Sequence, residues 1–121
     1  MKKTPTAQEL EIMKIVWEMK SATVRDVYEK MRERRRIAYT TVMTMMKIME
    51  SKGLFEKSLK GRAFVYQPAD PKSKTLQKMV MEFVNRVFNG SAEALVVQLV
   101  HDRRLSTEEL DKIRQSIEEE K

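Results

Sequence analysis

The stretch YTTVMTMMKIMESKGLFEKSLKGRAFVYQ, residues Tyr39–Gln67, decides the fold of this chain. Its first part spaces apolar side chains at i, i+3, i+4 and i+7, which is the pattern of one helix face. These apolar positions are Val42, Met45, Met46 and Met49. Gly53 then ends the helix, and two predicted strands, Leu54–Leu59 and Ala63–Gln67, flank a basic turn. A helix followed by a charged hairpin predicts a winged helix-turn-helix.

The opposite face of the predicted helix carries short polar side chains and no carboxylate. At about 100° per residue, that face contains Thr40, Thr44, Lys47 and Ser51. Hydroxyl groups can donate or accept hydrogen bonds at base edges, and a lysine can reach guanine or phosphate. The turn of the hairpin adds Lys60 and Arg62, which suit the sugar–phosphate backbone. The pattern therefore predicts a helix that reads a duplex groove beside a wing that contacts the backbone.

The excess positive charge is confined to the first part of the chain. The whole chain has 24 Lys and Arg against 18 Asp and Glu, a net charge of +6. Residues 1–70 contain 15 basic and 9 acidic side chains, whereas residues 71–121 contain 9 of each. Between Arg34 and Arg62 alone, eight basic residues accompany two acidic ones. A charge excess this localised predicts a surface that binds a polyanion.

Composition narrows the class of protein. A length of 121 residues with 41% hydrophobic side chains suits one compact domain or a small domain with an appended module. The chain has no cysteine, so disulfides and thiolate metal sites are excluded, and its ten methionines are adaptable core residues. MKKTPTAQEL lacks the apolar run of a signal peptide, and no segment has the length of a membrane span. We therefore expect a cytoplasmic protein with no cofactor and no metal.

Capping residues predict two helices before the reading helix. Thr6 with Glu9, and Thr23 with Asp26, have the three-residue spacing of capping boxes. The reading helix itself starts without such a cap, because Ala38 stands where a hydroxyl side chain is usual.

After Pro68 and Pro71 the pattern changes to helices with large apolar faces. We predict helices over residues 75–88 and 92–100, and a last helix capped by Ser106. About fifty residues form only a thin core by themselves, so we expect these helices to pack against a second copy of the chain. The predicted dimer interface consists of Leu76, Met79, Val80, Phe83, Val84, Val87, Leu95, Leu99, Leu110, Ile113 and Ile117.

These patterns together predict a mainly α fold of the α+β class in two domains. Residues 1–70 form a winged helix-turn-helix domain with a small β-hairpin wing, and residues 71–121 form a three-helix dimerisation domain. The basic run Arg34–Arg36 lies beside the reading helix and is assigned to phosphate contact. The predicted DNA-binding residues are Arg34, Arg35, Arg36, Tyr39, Thr40, Thr41, Thr44, Lys47, Ser51, Lys57, Lys60, Gly61 and Arg62.

The same residues resemble a known family. TTVMTMMKIMESKGLFEK, followed in order by KGRAFVYQP, NGSAEALVVQLV and LSTEELDKIRQSIEE, resembles the BlaI/MecI family of penicillinase-type repressors from about Thr6 to Glu119. The resemblance implies a homodimer that binds a palindromic operator with its winged helices and is held together by its C-terminal helices. The family's recognition-helix threonines match Thr40, Thr41 and Thr44, the glycine after that helix matches Gly53, and the wing turn matches Lys60, Gly61 and Arg62.

The resemblance also implies how repression ends. In the family, a membrane-bound sensor metalloprotease, triggered by a β-lactam in the best-known systems, leads to cleavage of the repressor in its dimerisation domain. Staphylococcal members are cut at an Asn–Phe bond, and Gln98-Leu99 stands at the aligned position here. Gln98 and Leu99 are therefore the candidate cleavage site. The chain lacks the C-terminal cysteines of the related copper-responsive repressors.

Other functions stay open at this point. An enzyme is poorly supported, because the single histidine, His101 beside Asp102, comes with no nucleophile elbow, phosphate loop or metal-ligand spacing. A winged helix used only for protein–protein contact would not need the positive charge between Arg34 and Arg62, so salt-sensitive DNA binding separates these two functions. A DNA-binding regulator released by a ligand or partner without cleavage is the alternative to proteolysis.

Overall fold

The computed structural model describes residues 4–120, which contain six α-helices and one β-hairpin. The elements are α1 (Ala7–Met19), α2 (Val24–Arg32), α3 (Tyr39–Ser51), β1 (Phe55–Lys60), β2 (Ala63–Pro68), α4 (Lys72–Phe88), α5 (Ala92–His101) and α6 (Thr107–Glu119). The chain divides into two compact units, which we call the first unit, ending at Lys78, and the second unit, beginning at Met79. The division falls inside α4. The predicted mainly α fold with one hairpin is confirmed.

The first two helices begin at the predicted capping boxes. The Thr6 hydroxyl accepts from the Glu9 N–H at 3.2 Å, and the Glu9 carboxylate accepts from the Thr6 N–H at 3.0 Å. Thr23 and Asp26 repeat this exchange at 3.1 and 3.0 Å. Ala38 precedes α3 without a side-chain cap, as predicted. The starts of α1 and α2 are therefore fixed by side chains, whereas backbone N–H groups at the start of α3 have no such acceptor.

The hairpin is antiparallel and closes with a two-residue turn. Lys60 pairs with Ala63, so Lys60 belongs to β1 rather than to the turn. Gly61 has φ +66°, a left-handed conformation that glycine adopts without a steric penalty. Arg62 is the other turn residue, so the tip of the wing is positively charged.

A short bridge connects the hairpin to the segment before α2. Ala22 and Tyr66 exchange backbone hydrogen bonds of 3.0 and 2.8 Å. Ala22 is also buried, at 1% exposure. Because the bridge pairs β2 with a residue just ahead of the α2 cap, it fixes the base of the wing against the helical part of the first unit.

The hydrophobic core of the first unit lies between α1, α2, α3 and the base of the hairpin. Of the apolar stripe predicted for α3, Val42, Met46 and Met49 are fully buried, and Met45 is partly buried against them. The buried core residues are Ile12, Met13, Ile15, Val16, Ala22, Val27, Met31, Val42, Met46, Met49, Leu54, Phe55 and Tyr66. One face of α3 is thus committed to packing, which leaves the opposite face in solvent.

An ion pair joins the start of α1 to the end of α3. The Lys52 ammonium lies 2.9 and 2.8 Å from the two Glu9 carboxylate oxygens, and Glu9 is only 5% exposed. Burial raises the pKa of Glu9, but the hydrogen bond from Lys52, the N–H of Thr6 and the charge of Lys52 together lower this pKa below its ordinary value. The carboxylate therefore stays ionised in the folded protein at neutral pH.

The helices that follow the hairpin begin close to their predicted positions. α4 starts at Lys72 rather than Thr75, because the Pro71 carbonyl accepts the N–H groups of Lys74 and Thr75. The Ser91 hydroxyl caps α5, and Ser106 with Glu109 forms the predicted capping box of α6. Within residues 4–120, no helix combines the length and hydropathy that crossing a bilayer requires.

Candidate nucleic-acid interface

The solvent face of α3 carries the polar residues predicted for groove reading. Thr40, Thr41, Thr44, Lys47 and Ser51 are all exposed. The Ser51 hydroxyl donates to the Lys47 carbonyl at 3.0 Å, so it is partly engaged by its own helix. The surface that α3 offers to a ligand is therefore rich in hydroxyl groups and contains one flexible cation.

One aliphatic side chain on this face is not among the predicted residues. Ile48 is 45% exposed, four residues after Thr44 and three before Ser51. Helical spacing gives the signal that could have found it, because positions 44, 48 and 51 fall on one side of a helix. An exposed aliphatic group can contact the methyl group of thymine in a major groove. The exposed face of α3 is thus mixed rather than purely polar.

A groove of about 590 Å³ lies between α3, the hairpin and the start of α2. It is lined by Thr23, Val24, Arg25, Tyr39, Met43, Lys47, Lys57, Arg62, Ala63, Phe64 and Tyr66. We call it the wing groove. Four of the predicted DNA-binding residues meet there, namely Tyr39, Lys47, Lys57 and Arg62.

The wing groove also contains residues that the sequence pattern did not identify. Arg25 comes from α2, Met43 from α3 and Phe64 from β2, and Phe64 is 51% exposed. Basic side chains surround these apolar groups. Burial raises the pKa of Tyr66, so its phenol stays neutral at the base of the groove. Only the fold brings Arg25, Met43 and Phe64 into one groove, because they come from three different elements.

Two of the predicted DNA-binding cations already have acidic partners. The Lys57 ammonium lies 3.3 Å from a Glu50 carboxylate oxygen and 4.6 Å from the centroid of the Phe64 ring. The Arg35 guanidinium lies 3.3 Å from a Glu11 carboxylate oxygen. Pairs at this level of exposure hold their partners weakly, by about 0–1 kcal/mol. A phosphate could replace either carboxylate as the partner of its cation, but neither cation is held free for a phosphate in this structure.

The remaining predicted DNA-binding residues lie on the surface of the first unit. Arg34 and Arg36 are exposed after the end of α2, and Lys60 and Gly61 are exposed at the wing tip beside Arg62. Arg34 lies beside Ile15, Glu18 and Met19 of α1, and Arg35 pairs with Glu11 of the same helix. The positive charge predicted between Arg34 and Arg62 is therefore divided between the α1 side of the first unit and the surface formed by α3 and the wing.

The residues predicted for a dimer interface keep much of their apolar surface in the single chain. Val80, Phe83 and Val87 are 52, 41 and 51% exposed, and Ile113 and Ile117 are 47 and 53% exposed. Leu76 is also exposed, and partial exposure is shared by Met79, Leu95, Leu99 and Leu110. Val84 differs, because it is 2% exposed in the single chain and offers little surface to a partner.

The candidate cleavage site lies in the last turns of α5. Gln98 is exposed and its side-chain amide donates to Asp102 at 3.0 Å, whereas Leu99 is half-buried. The Gln98 carbonyl accepts from the Asp102 N–H at 3.0 Å, and the Leu99 carbonyl accepts from the Arg104 N–H at 2.9 Å. The bond between them is therefore held in helical form by its neighbours on the C-terminal side.

Residues 5–119 match the family model described as the penicillinase repressor. This chain belongs to the penicillinase repressor family. It is 31% identical over 123 residues to the penicillinase repressor of Bacillus licheniformis, an alignment that covers 100% of this chain and 96% of the relative. It is 25% identical over 109 residues to the methicillin resistance regulatory protein MecI of Staphylococcus aureus strain N315, covering 90% of this chain and 89% of the relative. The family predicted from the sequence is confirmed.

Two solved structures of BlaI match the fold of part of this chain. The solution structure of the DNA-binding domain of the repressor BlaI matches with a TM-score of 0.53 and 32% identity, over 60% of this chain and 92% of that one. The monomeric form of Bacillus licheniformis BlaI, in complex with the blaP half-operator, matches with a TM-score of 0.52, 32% identity and the same coverage. The predicted winged helix-turn-helix is confirmed.

Proposed function

We propose that this family member is a sequence-specific DNA-binding repressor that acts as a homodimer on a palindromic operator. The observation that carries the proposal is the exposed polar face of α3 beside the wing groove, where Lys47 and Arg62 meet. Membership of a repressor family supports it, as does the likeness to the monomeric form of BlaI in complex with a half-operator. The net charge of +6 between Arg34 and Arg62 supplies attraction to a phosphate backbone.

We assign different tasks to α3 and to the wing. Thr44 and Lys47 project from the middle of the exposed α3 face and would read base edges in the major groove. Lys60 and Arg62 project from the wing tip and would contact phosphates, which position the protein but carry no sequence information. Since the fold of α3 is fixed by its buried face, substitutions on its exposed face should change preference without unfolding the domain.

The test starts from a duplex selected by the wild-type protein from a random-sequence library. We expect strong preference for that duplex over random DNA and a steep fall of affinity with salt. Lys60→Ala and Arg62→Ala should weaken selected and random duplexes alike, each reducing the salt slope by about one. Thr44→Ala and Lys47→Ala should mainly reduce the preference. A flat salt response, or no preference for any sequence, would contradict the proposal.

The exposed apolar faces of the helices after the hairpin support the proposed homodimer. In this proposal residues 1–70 form the DNA-binding domain of each subunit, and residues 71–121 hold the two subunits together. Two half-sites bound by one dimer give much higher affinity than either half-site alone, because the second contact is intramolecular. The operator lies on the cell's DNA, so we place the protein in the cytoplasm.

We further propose that cleavage of the Gln98-Leu99 bond ends repression, downstream of a membrane-bound sensor metalloprotease. A peptide bond in a regular helix has to leave the helix before most proteases can hold it, so the last turns of α5 would have to open first. Cutting there would separate α6 from the rest of the chain and remove part of the interface. The first unit would stay folded but would bind as a weak monomer.

This proposal is tested by expressing the chain with its cognate sensor, inducing, and identifying fragments by mass spectrometry. A boundary between Gln98 and Leu99 that appears only with an active sensor is the expected result. A sensor without its catalytic metal ligands serves as the control. An intact repressor that leaves its operator on induction would contradict cleavage and favour release by a ligand or partner.

A further inference from the structure

We propose that Arg25 is a further phosphate-contacting residue and that Tyr39 acts as its positioning residue rather than as a base reader. The inference rests on the proposed DNA binding. Arg25 is outside the basic run between Arg34 and Arg62, and only the fold brings it to the start of α3.

The contact between Arg25 and Tyr39 has the geometry of a cation–π interaction. The Arg25 guanidinium carbon lies 5.4 Å from the centroid of the Tyr39 ring, within the range of about 6 Å for such contacts. Tyr28 contacts the same ring edge-on, with centroids 5.4 Å apart and planes at 76°. The Tyr39 ring is therefore held between two α2 side chains, which restricts its freedom to reach into a DNA groove.

The Arg25 side chain still has capacity for a ligand. It is 68% exposed, and its partner is Glu29, one turn along α2, at 3.4 Å. A guanidinium carries five N–H donors in a planar fork, so one exposed carboxylate contact leaves donors for phosphate oxygens. The ring beneath keeps the fork in one place, which reduces the side-chain entropy lost on binding.

The position of Arg25 explains which part of the DNA it would contact. It lines the wing groove together with Lys47 of α3 and Arg62 of the wing, so cations from three elements surround one groove. Met43 and Phe64 supply apolar surface between them. A sugar–phosphate strand fits beside Arg25 and Arg62, because its phosphates can meet these two cations while its sugars cover the apolar groups, which leaves Lys47 to reach base edges. Arg25 would fix the strand on the α2 side.

The matched control is Arg32, which lies on the same helix. Its guanidinium carbon is 5.6 Å from the Tyr28 ring centroid and it pairs with the same Glu29 at 3.7 Å. Arg32 does not line the wing groove. Arg25→Ala and Arg32→Ala therefore remove the same charge, a similar ring contact and the same carboxylate partner, and differ in whether the groove loses a cation.

The first measurement is binding of the full chain to a random-sequence duplex and to the selected duplex, by fluorescence anisotropy over a range of salt. Arg25→Ala should lower affinity about tenfold for both duplexes and reduce the salt slope by about one. Arg32→Ala should leave the slope unchanged. An Arg25→Ala slope equal to that of wild type, or equal losses in the two variants, would overturn the inference while DNA binding by the wild type stands.

The second measurement tests the positioning role of Tyr39. Tyr39→Phe keeps the ring and should bind like wild type, whereas Tyr39→Leu should lose affinity several-fold and add little to Arg25→Ala in a double variant. A loss in Tyr39→Phe as large as in Tyr39→Leu would mean that the hydroxyl contacts DNA directly and would overturn the positioning role, as would additive losses in the double variant. A wild-type protein that binds no duplex would overturn the proposed function itself.

Discussion

The two units of this chain bury their apolar side chains to very different extents. In the first unit, α1, α2, α3 and the hairpin share one continuous buried core. In the second unit, α5 and α6 have no buried residue, and α4 exposes Val80, Phe83 and Val87 over roughly half of their surface. The contrast teaches that the first unit buries its core within one chain, whereas the second unit leaves large apolar side chains in solvent, which is the surface the proposed dimer would cover.

The largest expected effect comes from placing a charge on the exposed face of α4. Val80→Asp should put an unpaired carboxylate into the proposed interface, producing monomers whose operator affinity is lower by about 10²–10⁴-fold. Sedimentation velocity and DNA titration measure the two losses. Asn85→Asp adds the same charge to an exposed polar position on the same helix and should change neither. A wild-type protein that sediments as a monomer at micromolar concentration would contradict the proposed dimer interface on α4.

A slightly smaller effect is expected in the core of the first unit. Met46→Ala should lower the free energy of unfolding by about 2–5 kcal/mol, because Met46 is fully buried and the truncation leaves a cavity. Ile48→Ala, two residues further along α3 at an exposed position, should stay within about 0.5 kcal/mol of wild type. Urea unfolding followed by circular dichroism measures both values. Equal losses would show that the two faces of α3 do not differ as described.

The ion pair between Glu9 and Lys52 should give the first unit a pH-dependent stability. Since the folded-state pKa of Glu9 is lowered from 4.5, its contribution is complete well above pH 4.5 and is lost as pH falls through the folded-state pKa. Glu9→Gln should lower the free energy of unfolding by about 1–3 kcal/mol at pH 7. The variant should also lack this part of the pH dependence. Urea unfolding from pH 3 to pH 7 tests the difference. Parallel pH curves for the two proteins would contradict the lowered pKa.

The smallest effect compares equivalent caps in the two units. Thr6→Ala and Ser106→Ala each remove a capping-box hydroxyl, at a cost of about 1 kcal/mol. Thr6→Ala should lower thermal stability equally at all protein concentrations. Ser106→Ala should lower it in a way that depends on concentration, because α6 is stabilised by association in this scheme. Thermal scans at two concentrations a hundredfold apart would separate the variants, and identical behaviour would argue against α6 in the interface.

Much of the fold could be predicted because its signals are local. The capping boxes at Thr6, Thr23 and Ser106 need only side chains three residues apart, and the α3 stripe needs only helical periodicity. The predicted bounds of the wing strands differ from the observed ones by one residue, since Phe55 rather than Leu54 begins β1. Strand ends depend on pairing across the hairpin, which the sequence does not state.

The candidate nucleic-acid interface was less predictable, because most of the residues that meet in it come from different elements of the chain. The pairing of Arg35 with Glu11 and the entry of Arg25 into the wing groove depend on how the helices and the hairpin pack. The pairing of Lys57 with Glu50, seven residues earlier, depends on the connection between α3 and β1. A count of charges finds the positive surface but not which cations are already engaged. The predicted DNA contacts and dimer residues therefore stay predictions, to be tested one side chain at a time.

The two-sided character of α3 has a consequence for how this family could change its targets. Val42, Met46 and Met49 hold the helix in place from one side, while Thr44 and Lys47 on the other side contribute nothing to that packing. Mutations on the outer side are therefore free to accumulate without a loss of folding stability. In the binding mode proposed for this face, a duplicated gene could acquire a new operator through a handful of such changes, keeping its architecture while the set of genes it controls diverges.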